Sequence, residues 1–154
     1  MTTICANREA MASDRFVTYS TSFNGECKIW IAKGSIWGAA GPSNKGLAFR
    51  AWTLGGPRPK FKSPDPEEED EDQEVKLEVL QLSPKGLFLW VNSGPPDPVF
   101  EPFFGVGSGA GFAIGALSMQ ATLEQAVEVA AKWDGGTRLP IDVIALRDVK
   151  RKRG

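Results

Sequence analysis

The chain has 154 residues, and its 18 Lys and Arg against 19 Asp and Glu leave a formal net charge of −1. This length predicts a single domain, residues 1–154, with a sizeable core. The near-neutral charge gives no reason to expect nucleic acid as a partner, and no apolar run approaches the roughly 20 residues that cross a bilayer. The first residues lack the basic and apolar regions of a secretory signal. We therefore expect a cytoplasmic protein that binds neither nucleic acid nor membrane.

Two residue types that often carry chemistry are scarce. Histidine is absent, which excludes Ser-His-Asp and Cys-His catalysis and His-ligated metals. Cys5 and Cys27 are too few and too widely spaced for a zinc site, and a reducing cytosol favours two buried thiols over a disulfide. We expect no metal and no cofactor. A hydrolase built from this chain has to move protons with an amine, a lysine or a carboxylate.

The first half of the chain predicts two β-hairpins and a helix. The predicted strands are 3–7, 10–13, 27–32 and 35–39, and residues 16–19 are also β-prone. The helix is expected to begin at Ser43 as its N-cap, to reach about Trp52 and to stop at Gly55-Gly56. Two hairpins in about forty residues indicate an antiparallel sheet.

Residues 57–74 are rich in proline and acid, and 67–72 are acidic without interruption. Such a segment repels itself and lacks apolar anchors, so we expect a disordered or mobile surface loop. Docking to a basic partner is the alternative.

The second half predicts a third hairpin, two helices and a last strand. The hairpin is 75–82 with 87–91, a turn-rich connector follows at 92–98, and a strand at 103–106 leads into a helix of small residues. Thr122 and Gln125 form a capping box for a helix that ends near Trp133. Residues 141–146 are almost wholly apolar, which predicts a strand buried on both faces. The basic tail, 147–154, is expected to be frayed, with binding to an acidic surface as the other possibility.

Because strands and helices come in blocks, the order favours a layered α+β domain over a doubly wound nucleotide-binding fold.

Thr2 is the candidate nucleophile. Removal of Met1 makes this threonine the first residue, so its hydroxyl can attack while its own α-amine accepts the proton. An α-amine has an ordinary pKa of about 7.7–8.0, so a useful fraction is uncharged near neutral pH. Met-Thr is also an ordinary way for a protein to begin.

Four stretches together resemble a proteasome-type N-terminal nucleophile hydrolase, nearest to the bacterial HslV peptidase. Thr2-Thr3-Ile4 is similar to the mature start of that family, and residues 12–18 fit its Ala-x-Asp-x-x-x-Thr segment. Lys28 to Ile31, followed by 36–41, resembles its lysine strand and the Ala-Gly before the next helix. Residues 105–109 and 133–137 resemble its Gly-Ser-Gly and Asp-x-x-Ser/Thr elements.

The resemblance implies a four-layer αββα sandwich, in which two mostly antiparallel sheets lie between helical layers. The first helical layer is expected to be reduced, because the acidic loop occupies the place of a second helix.

The resemblance also implies residue roles. Thr2 would form an acyl-enzyme, Lys28 would sit beside its hydroxyl, and Asp14 would hold Lys28 and balance its charge. The groups expected to orient the free amine and relay its proton are Ser108, Asp134 and Thr137.

Two further roles concern the substrate. The backbone N–H of Gly41 would stabilise the oxyanion, and Thr18 would pair with the substrate backbone as an added strand. Taken singly, the site residues also fit ordinary roles: a turn residue at Asp14, a surface charge at Lys28, and helix-end residues at Ser108 and Asp134.

The sequence thus predicts a threonine peptidase that cleaves unfolded polypeptides without metal or cofactor. The resemblance implies a self-compartmentalised homo-oligomeric ring with an ATP-driven unfoldase as partner. The alternatives are a catalytically silent structural subunit of the same fold and a related hydrolase of small amides.

Overall fold

The computed structural model describes residues 2–15, 28–61, 76–92 and 94–151. Within these ranges the strands are β1 (Ile4–Asn7), β2 (Ala10–Asp14), β3 (Ile29–Ala32), β4 (Ser35–Ala40), β5 (Glu78–Ser83), β6 (Gly86–Val91), β7 (Asp97–Val99), β8 (Phe103–Val106) and β9 (Ile141–Ala145). The helices are α1 (Ser43–Thr53), α2 (Ala110–Ser118), α3 (Leu123–Trp133) and α4 (Leu146–Arg151). The β-prone residues 16–19, Cys27 and Thr18 lie outside the described residues.

The strands form two antiparallel sheets, one in the order β8-β1-β2-β9 and the other in the order β3-β4-β5-β6-β7. Alternate side chains of each sheet face the other sheet, since successive strand residues point to opposite faces. The apolar layer between the sheets includes Ile4, Met11, Ile29, Ile36 and Leu80, all fully or almost fully buried. The sheets approach closely at Gly38, where an added Cβ would lie 2.8 Å from Ile4 and Met11 side-chain atoms.

Helices α2 and α3 cover the outer face of the β1–β2 sheet. Small side chains make this contact: Cys5 and Ala12 on the strands meet Ala113 and Ala126 on the helices. Helix α3 begins with the predicted capping box, because Thr122 accepts from the Gln125 N–H and the Gln125 side chain accepts from the Thr122 N–H. The capping box fixes the first turn of α3. The helix then runs for 11 residues and ends at Asp134, its C-cap.

Helix α1 covers the outer face of the other sheet with aromatic side chains. Phe49 is fully buried and lies 5.3–5.8 Å, centroid to centroid, from Trp37, Trp52 and Trp90. The predicted four-layer αββα architecture is therefore confirmed, with α1 as the covering helix of this layer among the described residues.

The first of the acidic-loop residues are also described. Arg58 stacks over the Trp52 ring and Phe61 packs against the aromatic layer. Residues 62–74 lie outside the described residues, so the expectation of a disordered loop stays untested there.

Four local expectations were wrong. Pro42, not Ser43, is the N-cap of α1, and it offers no side-chain cap. The connector 92–98 contains the start of β7, which pairs with β6. Strand β9 is not buried on both faces, because its residues are only partly buried and Val143 is 42% exposed. The tail is not frayed up to Arg151, since it forms α4 and buries Val149.

No helix in the described part of the chain has the length and apolarity required to cross a membrane.

Candidate active site

The candidate site is built around Thr2 and Thr3, which precede β1. Thr2 is 8% exposed and Thr3 is fully buried. The loop after β8 closes over them: Gly109 donates its N–H to the Thr2 carbonyl at 3.3 Å. Gly107 has a φ of +99°, and a Cβ at this position would overlap the Thr2 carbonyl oxygen. Glycine is required there both by the backbone conformation and by the close approach.

The nitrogen of Thr2 belongs to a chain of hydrogen bonds. It donates to Ser108 Oγ at 3.2 Å, and Ser108 Oγ donates to Asp134 Oδ2 at 2.7 Å. Thr137 Oγ1 donates to the same carboxylate oxygen at 2.6 Å. This nitrogen is an amide while a residue precedes Thr2 and an α-amine once that residue is removed. Ser108 therefore contacts the atom that the resemblance implies is the base, and Asp134 and Thr137 follow it in the same chain of hydrogen bonds.

Asp134 is the charged member of this chain and terminates α3 as its C-cap. Burial raises the pKa of its carboxyl, but hydrogen bonds from Thr137, Ser108 and the Gly136 backbone outweigh burial, so the pKa is lowered overall. The group is therefore a carboxylate at neutral pH, and both hydroxyls have to donate to it.

A second network lies beside the first. Lys28 Nζ is 3.0 Å from Asp14 Oδ1, and the same oxygen accepts the Thr3 N–H at 3.0 Å. The other carboxylate oxygen accepts the Arg138 N–H at 3.2 Å. The Asp14 side chain is fully buried and that of Lys28 is 8% exposed.

Burial lowers the pKa of Lys28, and the charge of Asp14 opposes that shift. The Lys28 ammonium and the Thr3 N–H thus share one oxygen of the Asp14 carboxylate. Asp14 is a residue with several buried donors rather than an ordinary turn residue.

Gly41 lies between β4 and α1 with a φ of +135°, and a Cβ there would approach the Lys76 carbonyl to 2.8 Å. Thr137 was expected to help orient the amine and relay its proton. Its hydroxyl bonds Asp134 and Thr3, so within the described residues its link to the Thr2 nitrogen runs through Asp134 and Ser108.

Sequence reasoning missed Thr3 as a site residue. Its hydroxyl lies 2.6 Å from Thr137 Oγ1, fully buried and 134 positions away in sequence. The available signal was alternation: Cys5 faces α3, and Thr3, two residues before it, shares that face.

Cys5 offers no second nucleophile. Burial raises the pKa of its thiol to about 12, and the Sγ lies 3.8 Å from the Leu123 carbonyl beneath α3. A buried thiol of this kind stays protonated and inert.

No protein-family model matches the sequence, and no curated protein matches it. Solved structures do match its fold. Thiobacillus denitrificans BPH is 19% identical with a TM-score of 0.68, over 94% of this chain and 96% of that one. Eukaryotic HslV from Trypanosoma brucei is 16% identical with a TM-score of 0.64, over 93% of this chain and 98% of that one.

A third match is the Anbu (Gly-1) mutant from Hyphomicrobium sp. strain MC1, which is 13% identical with a TM-score of 0.64, over 99% of this chain and 93% of that one. The chain therefore has the fold of proteasome-type N-terminal nucleophile hydrolases, over nearly the whole length of each match.

Proposed function

We propose that this protein is a threonine endopeptidase of the proteasome and HslV kind, with Thr2 as its N-terminal nucleophile. The observation that carries the proposal is the hydrogen bond from the Thr2 nitrogen to Ser108, continued to Asp134. A buried threonine nitrogen joined to a serine and a carboxylate is the arrangement that an α-amine base requires.

The reaction would run in two halves. The Thr2 hydroxyl adds to the carbonyl carbon of a substrate peptide bond and gives its proton to the α-amine. Collapse of the tetrahedral adduct breaks the C–N bond, and the amine passes the proton to the leaving nitrogen. Water then adds to the Thr2 ester, breaks the ester C–O bond and returns a proton to the threonine oxygen.

Each network would have its own task. Ser108 and Asp134 hold the amine so that its lone pair is available, and Asp134 steadies the ammonium form that arises during the reaction. Lys28, held by Asp14, favours the negative charge that develops on the attacking oxygen. Gly41 would supply the oxyanion N–H, with the N-terminus of α1 beside it.

The wider setting is also part of the proposal. Unfolded polypeptide would bind as an added strand at Thr18, within a homo-oligomeric ring in the cytoplasm that is fed by an ATP-driven unfoldase. Support comes from the shared fold with HslV and BPH, the latter also solved in complex with epoxomicin.

The test is intact mass spectrometry after incubation with epoxomicin, alongside a Thr2→Ala variant. We expect loss of whatever precedes Thr2 and a single adduct on the wild-type chain, located at Thr2 by fragmentation, with no adduct on the variant. Native mass in the same experiment reports the ring size.

Two results point elsewhere. A processed chain without an adduct, and without cleavage of an unfolded protein substrate, supports the silent structural subunit. An adduct with hydrolysis of small amides alone supports the small-amide hydrolase.

A further inference from the structure

We propose that Thr3 is a positioning residue for the reaction, because its hydroxyl and its backbone tie the two site networks to the nucleophile. The inference rests on the proposed function, and it assigns a role to a side chain outside the nucleophile, the ion pair and the amine relay.

The direction of each hydrogen bond follows from the carboxylate. The anionic Asp134 carboxylate can only accept hydrogen bonds, so Thr137 donates its single hydroxyl proton to Asp134 at 2.6 Å. The remaining bond, at 2.6 Å between the two threonine hydroxyls, must then have Thr3 as donor and Thr137 as acceptor. On the other side of Asp134, the Ser108 hydroxyl donates its proton to the carboxylate and accepts a hydrogen bond from the Thr2 nitrogen.

These bonds close a ring. It runs from the Thr2 nitrogen through Ser108, Asp134, Thr137 and the Thr3 hydroxyl, and returns to Thr2 through the peptide bond. Ser108 Oγ also lies 3.5 Å from the Thr2 carbonyl oxygen, but the Asp134 carboxylate is the nearer and charged acceptor. With Asp134 charged, the ring therefore favours one arrangement of protons and holds the Thr2–Thr3 unit in position.

Thr3 is also bound to the second network. Its N–H donates to Asp14 Oδ1 at 3.0 Å, and its carbonyl accepts the Asp14 N–H at 3.2 Å. The residue next to the nucleophile is therefore fixed by its side chain to the amine relay and by its backbone to the Lys28–Asp14 pair.

The fit around the hydroxyl is close. A Cβ at Gly109 would overlap Thr3 Oγ1 and would lie 2.9 Å from Thr137 Oγ1. No added side-chain atom can enter between the helix layer and this pair of hydroxyls, so the contact depends on glycine at that position.

Loss of the Thr3 hydroxyl has a predicted electrostatic effect. Without its donor, Thr137 is less polarised and stabilises the Asp134 carboxylate less. A less stabilised carboxylate attracts the ammonium form of Thr2 more strongly, so the pKa of the amine rises and the acidic limb of the pH profile moves to higher pH.

The experiment compares Thr3→Val, which keeps the shape and removes the hydroxyl, with Thr3→Ser, which restores a hydroxyl. The control is Thr53→Val, since Thr53 is 3% exposed and its hydroxyl is hydrogen-bonded to Trp30 and Arg50 at the end of α1, outside the site. The measurements are kcat, KM and the pH dependence of kcat for hydrolysis of a fluorogenic peptide.

For Thr3→Val we expect kcat to fall about tenfold, KM to stay within about twofold, and the acidic limb to move up by about half a unit. Thr3→Ser should recover most of kcat and the wild-type pH profile. Thr53→Val should keep both. A Thr3→Val enzyme with wild-type kcat and pH profile, or a Thr3→Ser enzyme as impaired as Thr3→Val, overturns the inference.

Thr137→Val carries the test if Thr3→Val does not fold, because it removes the same contact from the other side. We expect an upward shift of the acidic limb, and an unshifted limb overturns the inference. The two proposals fail in different ways. Absence of an epoxomicin adduct on wild-type Thr2 overturns the peptidase. An adduct on wild type together with a Thr3→Val variant of wild-type kcat and pH profile overturns only the role of Thr3.

Discussion

The two helical layers of the sandwich pack in opposite ways. Beneath α2 and α3 many of the contacts are made by small residues, such as Ala12 against Ala126, beside larger side chains such as Leu117 and Val127. At Gly109 the backbone also lies close to the hydroxyls of Thr3 and Thr137. Beneath α1 the contacts are made by large rings, with Phe49 among three tryptophans. The candidate site lies at the end of the small-residue layer.

The two layers therefore contribute different things: one brings short polar side chains together, and the other buries large apolar side chains. Close backbone approach lets the short side chains of Ser108 and Thr137 reach the Asp134 carboxylate at 2.7 and 2.6 Å, and at Gly109 it leaves no room for an added atom. The aromatic layer supplies buried area, and it loses stability when volume is removed. Substitutions in the two layers should therefore fail in different assays.

The largest loss of stability is expected from Phe49→Ala. This ring is fully buried, and Phe→Ala substitutions in cores typically cost about 3–5 kcal/mol. Chemical denaturation should show a loss of that size. The protein that remains folded should form the epoxomicin adduct at the wild-type rate, because the ring contacts of Phe49 among the described residues are with tryptophans of the aromatic layer and not with the Thr2 networks.

Leu47→Ala on the same helix is the matched control, since Leu47 is 52% exposed. Its free energy of unfolding should stay within about 0.5 kcal/mol of wild type. A Phe49→Ala protein that is stable but inactive would mean that the two layers are coupled and that the comparison is wrong.

Gly109→Ala should have the next largest effect, and mainly on activity. The backbone φ of −90° accepts alanine, so the cost arises from the overlap with Thr3 Oγ1. Overpacking of this kind typically costs about 1–3 kcal/mol, and displacement of Thr3 should lower kcat by about a hundredfold. Activity assays and denaturation on the same preparation measure both.

Gly111→Ala supplies the contrast two residues later. No described atom lies within 4 Å of its added Cβ, and alanine in a helix is favoured over glycine by about 0.5–1 kcal/mol. This variant should be slightly more stable than wild type and fully active. If Gly109→Ala has the same kcat and stability as Gly111→Ala, the close packing around Thr3 does not affect activity.

Local signals explain why much of the fold was predictable. The turn at Lys33-Gly34 has φ values of +50° and +73°, as a tight hairpin turn requires, and it was readable from the dipeptide alone. The capping box at Thr122 marks the start of α3 just as directly. The layered α+β class followed from the blocks of strands and helices, whereas the four-layer αββα order was implied by the resemblance.

Long-range placement was not readable in this way. Apolar residues 141–146 have the composition of a central strand, yet β9 pairs on one side with β2 and forms an edge. In the site, the roles of Asp14 and Lys28 were predicted from the family resemblance. The Thr3–Thr137 contact joins residues that are 134 positions apart in the sequence. Short polar residues carry no periodicity that reveals such a partner, so only the folded backbone identifies it.

Asp134→Asn tests the electrostatics of the small-residue layer. Asparagine keeps the size and one acceptor but removes the charge that favours the ammonium form of Thr2. The pKa of the amine should fall, so the acidic limb of kcat should move to lower pH, opposite to the shift expected for Thr3→Val. Loss of the relay should also reduce kcat by about 10- to 100-fold.

The pH–rate profiles of wild type, Asp134→Asn and Thr3→Val, recorded at one ionic strength, decide this prediction. Opposite shifts for the two variants support a charged Asp134 linked to the amine through Ser108. Shifts in the same direction would show that the carboxylate does not set the pKa of the amine.

The smallest effect is expected from Thr53→Val in the aromatic layer. Thr53 Oγ1 accepts the Trp30 indole N–H at 2.9 Å and donates to the Arg50 carbonyl at 2.7 Å. Valine leaves that buried indole N–H without this partner, which should cost about 1–2 kcal/mol in the free energy of unfolding. The same exchange at Thr3 changes kcat and its pH dependence, whereas at Thr53 it should change stability alone. Denaturation and kcat measured on both variants therefore assign a buried threonine hydroxyl to chemistry or to folding, and a lowered kcat for Thr53→Val would show that the aromatic layer also positions the site.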